Sequence, residues 1–181
     1  GTWLTWQPST GNGIRNTPYS TDMAVNPSTY ASVANTASIS SPHGIGYVWN
    51  SMLWDVYWNL VRRYGFNPNL YEGWNTGGNN LAIQLVTDGL KLQACNPGFV
   101  DGRNAILAAD QALTGGANQC EIWRGFAKRG LGFSAAQGSG NNRSDGTEAF
   151  DLPDQCKLAT FSGFQGLQAA PAINAVGDGQ A

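Results

Sequence analysis

Residues 42–64 read PHGIGYVWNSMLWDVYWNLVRRY, and this stretch decides the fold class. Its apolar residues recur with the i, i+3, i+4 spacing of a helix; they are Ile45, Val48, Trp49, Met52, Leu53, Val56, Tyr57, Leu60, Val61 and Tyr64. Ser41 can cap this helix, and Pro42 suits its first position. Because Trp54 and Trp58 lie off the stripe, the helix is apolar on most faces and is predicted to be buried on several sides.

Three further helices are predicted after this one. They span residues 79–93, 98–114 and 117–129, each with apolar residues at helical spacing. Residues 1–41 instead carry Pro, Gly, Asn, Ser and Thr without any periodicity. The sequence therefore predicts a mainly α fold with a long irregular N-terminal segment.

The composition changes again near Pro153. Residues 131–153 are rich in Gly, Ser and Asn, whereas residues 154–181 carry aromatic and small apolar residues without a helical period. We therefore expect a helical unit over residues 1–153, followed by a tail of a different kind.

The charge balance excludes some classes of partner. Ten basic and twelve acidic residues give a net charge of −2, which is not basic enough for a nucleic-acid backbone, so no nucleic-acid partner is expected. No apolar run approaches the length of a membrane-spanning helix, so no membrane partner is expected either.

Three cysteines leave the covalent structure open between one disulfide with a leftover thiol and three free thiols. Cys95 precedes the third predicted helix and Cys120 lies in the fourth, so an antiparallel pair of helices would bring them together. We predict a Cys95–Cys120 disulfide, whose closed loop would stabilise the fold by about 3 kcal/mol in an oxidising compartment. Cys156 would then be free or bonded outside the chain.

The residues that could carry chemistry are few. His43 is the only histidine, which excludes an H-E-x-x-H zinc motif within this chain. A Ser-His-Asp triad would need only one His, but no G-x-S-x-G motif marks a nucleophile, and no motif marks a pair of catalytic carboxylates. Taken by themselves, His43 at a helix start and Arg15 in the irregular segment are ordinary surface residues.

The order of motifs along the chain adds a family resemblance. Six motifs, in order, resemble the fungalysin family: GTWLTWQP from residue 1, GIRNTPYSTDMAVNP from residue 13, PHGIGYVWNSMLWDVYWNL from residue 42, GGNNLAIQLVTDGLKLQACNP from residue 77, RNAILAADQALTGGANQCEIW from residue 103 and FAKRGLG from residue 126. The resemblance covers about residues 1–153 and is closer to bacterial than to fungal members.

This resemblance implies part of a secreted zinc endopeptidase with a thermolysin-like fold, of which this chain would be the C-terminal helical lobe. Such enzymes hydrolyse peptide bonds with a zinc-activated water. Their zinc ligands are the two His of H-E-x-x-H and a later Glu, and both motifs lie upstream of the part that resembles this chain. The implied partners are therefore that upstream zinc-binding portion and protein or peptide substrates, and this chain alone would be inactive.

Three positions of this chain match functional positions of the family. His43 matches the His that donates a hydrogen bond to the oxyanion of the tetrahedral intermediate, and Arg15 matches the Arg that binds a substrate carbonyl. Ile14 matches an apolar wall of the pocket for the side chain after the scissile bond. The relatives orient their His with a carboxylate five residues earlier, where this chain has Ser38.

Two questions stay open, namely the nature of residues 154–181 and the role of the whole chain. FSGF and PAINAVGDGQA in residues 154–181 resemble the opening of a β-sandwich module found on some secreted enzymes. The chain could instead be a non-catalytic helical binding module derived from such an enzyme, or a different hydrolase that uses His43.

Overall fold

Four α-helices form most of the regular structure in the computed structural model, which describes residues 2–11 and 13–157. They are α1 (His43–Tyr64), α2 (Gly78–Leu92), α3 (Phe99–Thr114) and α4 (Gln119–Lys128). All four predicted helices are confirmed, with ends within two residues of the expected ones. No β-strand occurs in the described ranges; two isolated bridges, Leu131 with Ala149 and Ala136 with Thr147, hold the chain after α4.

Helix α1 packs against both α4 and α2, and α3 completes the bundle against α2. The apolar stripe of α1 supplies the centre of the core, where Val48, Met52 and Leu60 are fully buried. Two glycines let neighbouring helices approach α1 closely. A side chain at Gly78 would lie 2.1 Å from the Leu60 carbonyl oxygen, and one at Gly125 would lie 2.7 Å from the Val56 nitrogen. Burial of α1 on several sides follows from this packing.

The start of α1 differs from the prediction by one residue. The helix begins at His43, after Pro42, rather than at Pro42 itself. Pro42 holds the N-cap position without a side-chain hydrogen bond, so the expected cap by Ser41 is not seen. The Gly44 amide instead donates to the Ser40 hydroxyl oxygen at 3.2 Å and to the Ser40 carbonyl oxygen at 2.9 Å. His43 is thus the first helical residue, with its amide at the open end of the helix.

The irregular N-terminal segment is held by a buried arginine from the C-terminal part of the chain. Arg129 is completely buried and pairs with the buried carboxylate of Asp55 on α1. Its remaining donors bind carbonyl oxygens of the segment, namely those of Ser20, Asn26 and Ser28. The predicted irregularity is confirmed, and the hydrogen bonds that the backbone cannot make with itself are supplied by side chains.

The disulfide prediction is wrong. Cys120 is bonded to Cys156, and Cys95 is an exposed free thiol. The reason is that the chain after α4 turns back along that helix: Arg124 of α4 donates to the Cys156 carbonyl oxygen, and Leu131 bridges Ala149.

The described end of the tail, residues 154–157, therefore packs with the helices. The expected β-sandwich module falls mainly on residues 158–181, which lie outside the described residues. None of the described helices has the length and apolar character needed to cross a membrane.

Candidate functional site

His43 stands at the exposed N-terminal end of α1. Within the described part of the chain its imidazole makes no hydrogen bond and no ion pair. A surface histidine without a partner is free to donate to an external group.

The ten residues before His43, 33–42, form a tightly bonded turn that we call the approach segment. Asn35 organises it: its side-chain oxygen accepts hydrogen bonds from the amides of Ala37 and Ser38, and its carbonyl oxygen accepts one from the Ile39 amide. Ile39 is buried, whereas the residues around it are exposed. The approach segment thus reaches His43 with a defined backbone.

Ser38 does not replace the expected carboxylate as a partner of His43. Its amide donates to Asn35, and its carbonyl oxygen accepts a hydrogen bond of 3.1 Å from the Asn16 side chain. No residue in the described ranges hydrogen-bonds the His43 side chain, so its position follows from the backbone that carries it.

Arg15 and Ile14 lie on residues 13–17, which run beside the approach segment and which we call the Arg15 segment. The neighbouring Asn16 donates to Ser38, and Thr17 hydrogen-bonds the hydroxyl of Tyr47 on α1. Ile14 is 43% exposed, and the half-buried Arg15 has no side-chain partner among the described residues. The structure therefore anchors the Arg15 segment both to the approach segment and to the first turns of α1.

A cavity of about 200 Å³ lies where these segments meet. Its lining residues come from the Arg15 segment, residues 27–32, the approach segment and α1; they are Asn16, Thr17, Pro27, Ser28, Ser32, Asn35, Ser38, Ile39 and Tyr47. This lining is mostly polar and uncharged, which suits main-chain amide and carbonyl groups better than a charged ligand.

A metal ion does not fit the residues that the structure describes. No three His, Cys, Asp or Glu side chains in that part of the chain lie close enough together to hold one. Zinc in proteins is held mainly by Cys, His and carboxylate ligands in sets of three or four, and this chain has one histidine. The described residues of this site could act beside a metal but do not form a ligand set for one.

Sequence analysis missed Arg143, whose guanidinium group binds the approach segment. It donates to the carbonyl oxygens of Val33 and Ile39, at 2.6 Å and 2.8 Å. The only sequence signal was a single basic residue within a loop of Gly, Ser and Asn, which looks like any solvated charge. Its partners are main-chain carbonyl groups, which every residue has. No particular residue type in the sequence therefore indicates this contact.

Comparisons with known proteins agree with the fold class. The family model described as fungalysin metallopeptidase (M36) matches residues 1–135. The extracellular metalloproteinase MEP of Neosartorya fischeri is 53% identical over 147 residues, which are 79% of this chain and 23% of that protein. The Aspergillus fumigatus protein of the same name is 52% identical over the same shares. Extracellular metalloproteinase 10 of Coccidioides posadasii is 45% identical over 84% of this chain and 24% of its own length.

The chain thus spans about a quarter of the length of the curated relatives it matches. These three relatives are fungal, and the greater similarity to bacterial members stays a prediction.

Proposed function

The chain belongs to the fungalysin metallopeptidase family, and we propose that it supplies substrate-binding and transition-state-stabilising residues to a zinc-dependent endopeptidase of that family. It is part of a secreted protein, in line with relatives that are named extracellular metalloproteinases. Its helices are the C-terminal lobe of a thermolysin-like fold.

The observation that carries this proposal is the placement of His43 and Arg15. Both side chains lie free of partners among the described residues, on two segments that are hydrogen-bonded to each other through Asn16 and Ser38. This hydrogen bond fixes the two backbone segments relative to each other. A site that must present two groups to one substrate needs such a fixed arrangement.

His43 has the role of a hydrogen-bond donor to the oxyanion of the tetrahedral intermediate. Negative charge develops on the former carbonyl oxygen when the peptide bond is attacked. A donor already aimed at that oxygen lowers the barrier by about 3 kcal/mol, because no reorganisation is needed at the moment of reaction. Its place on the first turn of a helix fixes the main chain that carries the imidazole.

Arg15 has the role of binding a substrate carbonyl on the leaving-group side. A guanidinium group offers five N–H donors in a rigid fork, which suits the binding of carbonyl oxygens. The adjacent Ile14, which is 43% exposed, would then supply an apolar wall for the substrate side chain after the scissile bond.

Fungalysin metalloproteases are zinc-dependent, and the described residues of this chain do not offer a ligand set. We assign the zinc ligands and the general base to the H-E-x-x-H portion of the same protease, outside this chain. The purified 181-residue chain should then bind no stoichiometric zinc and cleave no peptide. Chelator-sensitive cleavage by that chain would contradict this assignment.

The proposal is tested in the full-length, zinc-loaded protease. His43→Ala should lower kcat by about 10²–10³ with a smaller change in KM, because the lost bond forms in the transition state. Arg15→Ala should raise KM as well as lower kcat, since a substrate carbonyl is bound in both states. Zinc content and melting temperature should be unchanged in both variants.

The matched control is Arg62→Ala, which removes an exposed arginine near the other end of α1 and should leave both kinetic constants unchanged. A folded, zinc-loaded His43→Ala enzyme with wild-type kcat would refute the role of His43. That result would favour the alternative of a non-catalytic binding module.

A further inference from the structure

We infer that Arg143 is the positioning residue that sets the place of His43 by clamping the approach segment. This inference rests on the proposed function of His43 and supplies what Ser38 does not, a group that controls the position of the backbone that carries this histidine. Arg143 touches no reacting atom in this scheme. It acts through the backbone that leads into α1.

The first link is the pair of hydrogen bonds from Arg143 to the approach segment. The Arg143 Nε and Nη2 atoms donate to the carbonyl oxygens of Val33 and Ile39, two residues that are both buried and lie six positions apart. One rigid guanidinium plane thereby fixes the distance between the two ends of the turn. Lysine could bind one of these carbonyls as a point charge, but it lacks the fork that spans both.

The second link joins the clamp to His43. A Cβ atom built on Gly44 would lie 3.0 Å from both the carbonyl carbon and the Cγ2 atom of Ile39. The main chain of Ile39 therefore packs directly against the residue that follows His43. The next residue, Ser40, accepts hydrogen bonds from the amides of Gly44 and Ile45. A shift of Ile39 must move the first turn of α1.

The third link is the support of Arg143. Residues 137–146, the arginine loop, are closed at their base by paired hydrogen bonds of 3.0 Å and 2.7 Å between Ala136 and Thr147. Within the loop Asp145 accepts a hydrogen bond from the Ser139 amide. Outside it, the side chain of Asn96, in the connection between α2 and α3, donates to Asn141.

The arginine loop is thus held by contacts that do not involve His43. It can serve as a fixed support from which Arg143 positions a catalytic group, because small displacements of such groups are costly. A misplacement of about 1 Å can lower a rate by about 100-fold.

The test is a double-mutant cycle in the full-length, zinc-loaded protease. Arg143→Ala should lower kcat by about 10–100-fold with KM nearly unchanged. In the His43→Ala background the same change should lower kcat by less than about twofold, because the group it positions is already gone. Arg143→Lys should recover part of the loss in the wild-type background.

The outcomes separate this inference from the proposed function. An equal loss of kcat from Arg143→Ala in both backgrounds, or no loss in either, would overturn the role of Arg143 and leave that of His43 intact. A His43→Ala enzyme with wild-type kcat would overturn both. If Arg143→Ala does not fold, the cycle is run with Arg143→Lys under the same criteria.

A pair of glycine variants tests the link through Ile39 from the opposite side. Gly44→Ala places a methyl group against Ile39 and should lower kcat. Gly46→Ala is the control, since its new methyl group meets no atom within 4 Å. Hydrogen–deuterium exchange of residues 33–45 should rise in Arg143→Ala. Equal kcat values in the two glycine variants, or unchanged exchange, would contradict the proposed linkage.

Discussion

Replacing Arg129 by methionine should strongly destabilise the protein. The guanidinium group is completely buried and pairs with Asp55, which is itself only 2% exposed. Its other donors bind three carbonyl oxygens at 2.6–2.9 Å. Methionine fills similar space but donates nothing, so Arg129→Met removes all four interactions without leaving a large cavity.

The size of the expected loss of unfolding free energy follows from the polar groups that lose their partner in Arg129→Met. Breaking a buried ion pair by removing one partner costs about 3–5 kcal/mol, because the remaining charge stays buried. Lys128 still contacts Asp55 at 2.8 Å, so the carboxylate keeps an ionic partner and only about 1 kcal/mol of this cost remains. Each buried carbonyl that loses its donor adds about 1 kcal/mol or more. We therefore expect a loss of about 4 kcal/mol, a large part of the 5–15 kcal/mol typical of a domain.

Thermal and urea unfolding of the purified protein, followed by circular dichroism, measure this loss. For a domain of 150–250 residues, about 4 kcal/mol corresponds to a fall in Tm of roughly 8–16 °C. Arg62→Met is the matched control at an exposed site and should stay within about 0.5 kcal/mol of wild type. Adding Asp55→Leu to Arg129→Met should recover only part of the loss, since the three carbonyls remain unbonded. Equal Tm values for the two methionine variants would refute the reasoning.

Two further predictions concern covalent structure and pH. Alkylation of the unreduced protein should label Cys95 alone and leave a linked Cys120–Cys156 peptide in the mass spectrum; label on either linked residue would contradict the pairing. Hydrogen bonds from the Gln137 side chain and a backbone amide hold the pKa of Asp101 below its usual value. Its carboxylate therefore stabilises the fold above about pH 4, and this contribution is lost as pH falls through the lowered pKa. The Tm of Asp101→Asn should accordingly fall less than that of wild type between pH 5 and about pH 2, and parallel curves would show that Asp101 contributes nothing.

The helices could be predicted from the sequence because their signal is local. The spacing of apolar residues along α1 requires only that one face be buried, and the four helices appear with that periodicity. The contacts at the start of α1 were harder to predict, because Ser41 was the expected cap and the preceding Ser40 carries the same hydroxyl group. Only the path of the preceding turn decides that Ser40 reaches the Gly44 amide.

The disulfide and the arginine contacts could not be predicted because they depend on long-range chain path. Cys120 and Cys156 are separated by 36 positions, most of them in a Gly, Ser and Asn-rich stretch that carries no periodic signal. Nothing local indicates that this stretch returns along α4. Arg143 likewise reaches residues more than a hundred positions away.

Three arginines explain how so much irregular chain stays in place. Arg103, Arg129 and Arg143 each bind two or more main-chain carbonyls of segments without regular structure. Burial lowers the pKa of Arg103 to about 10, which still leaves it charged near neutral pH. Buried carbonyls outside helices and sheets need donors from elsewhere, and arginine offers more of them than any other side chain.

These arginine contacts also determine which part of the chain holds the candidate site in place. Arg15 and His43 are presented by the N-terminal part of the chain, but Arg129 and Arg143, which hold that part in place, come from the end of α4 and the residues after it. A truncation before Arg143 would leave both Arg15 and His43 in the chain. It would still free the carbonyls of Val33 and Ile39, and His43 would lose its fixed backbone. If His43 and Arg15 have the proposed roles, Arg129 and Arg143 contribute to the site by holding its backbone in place.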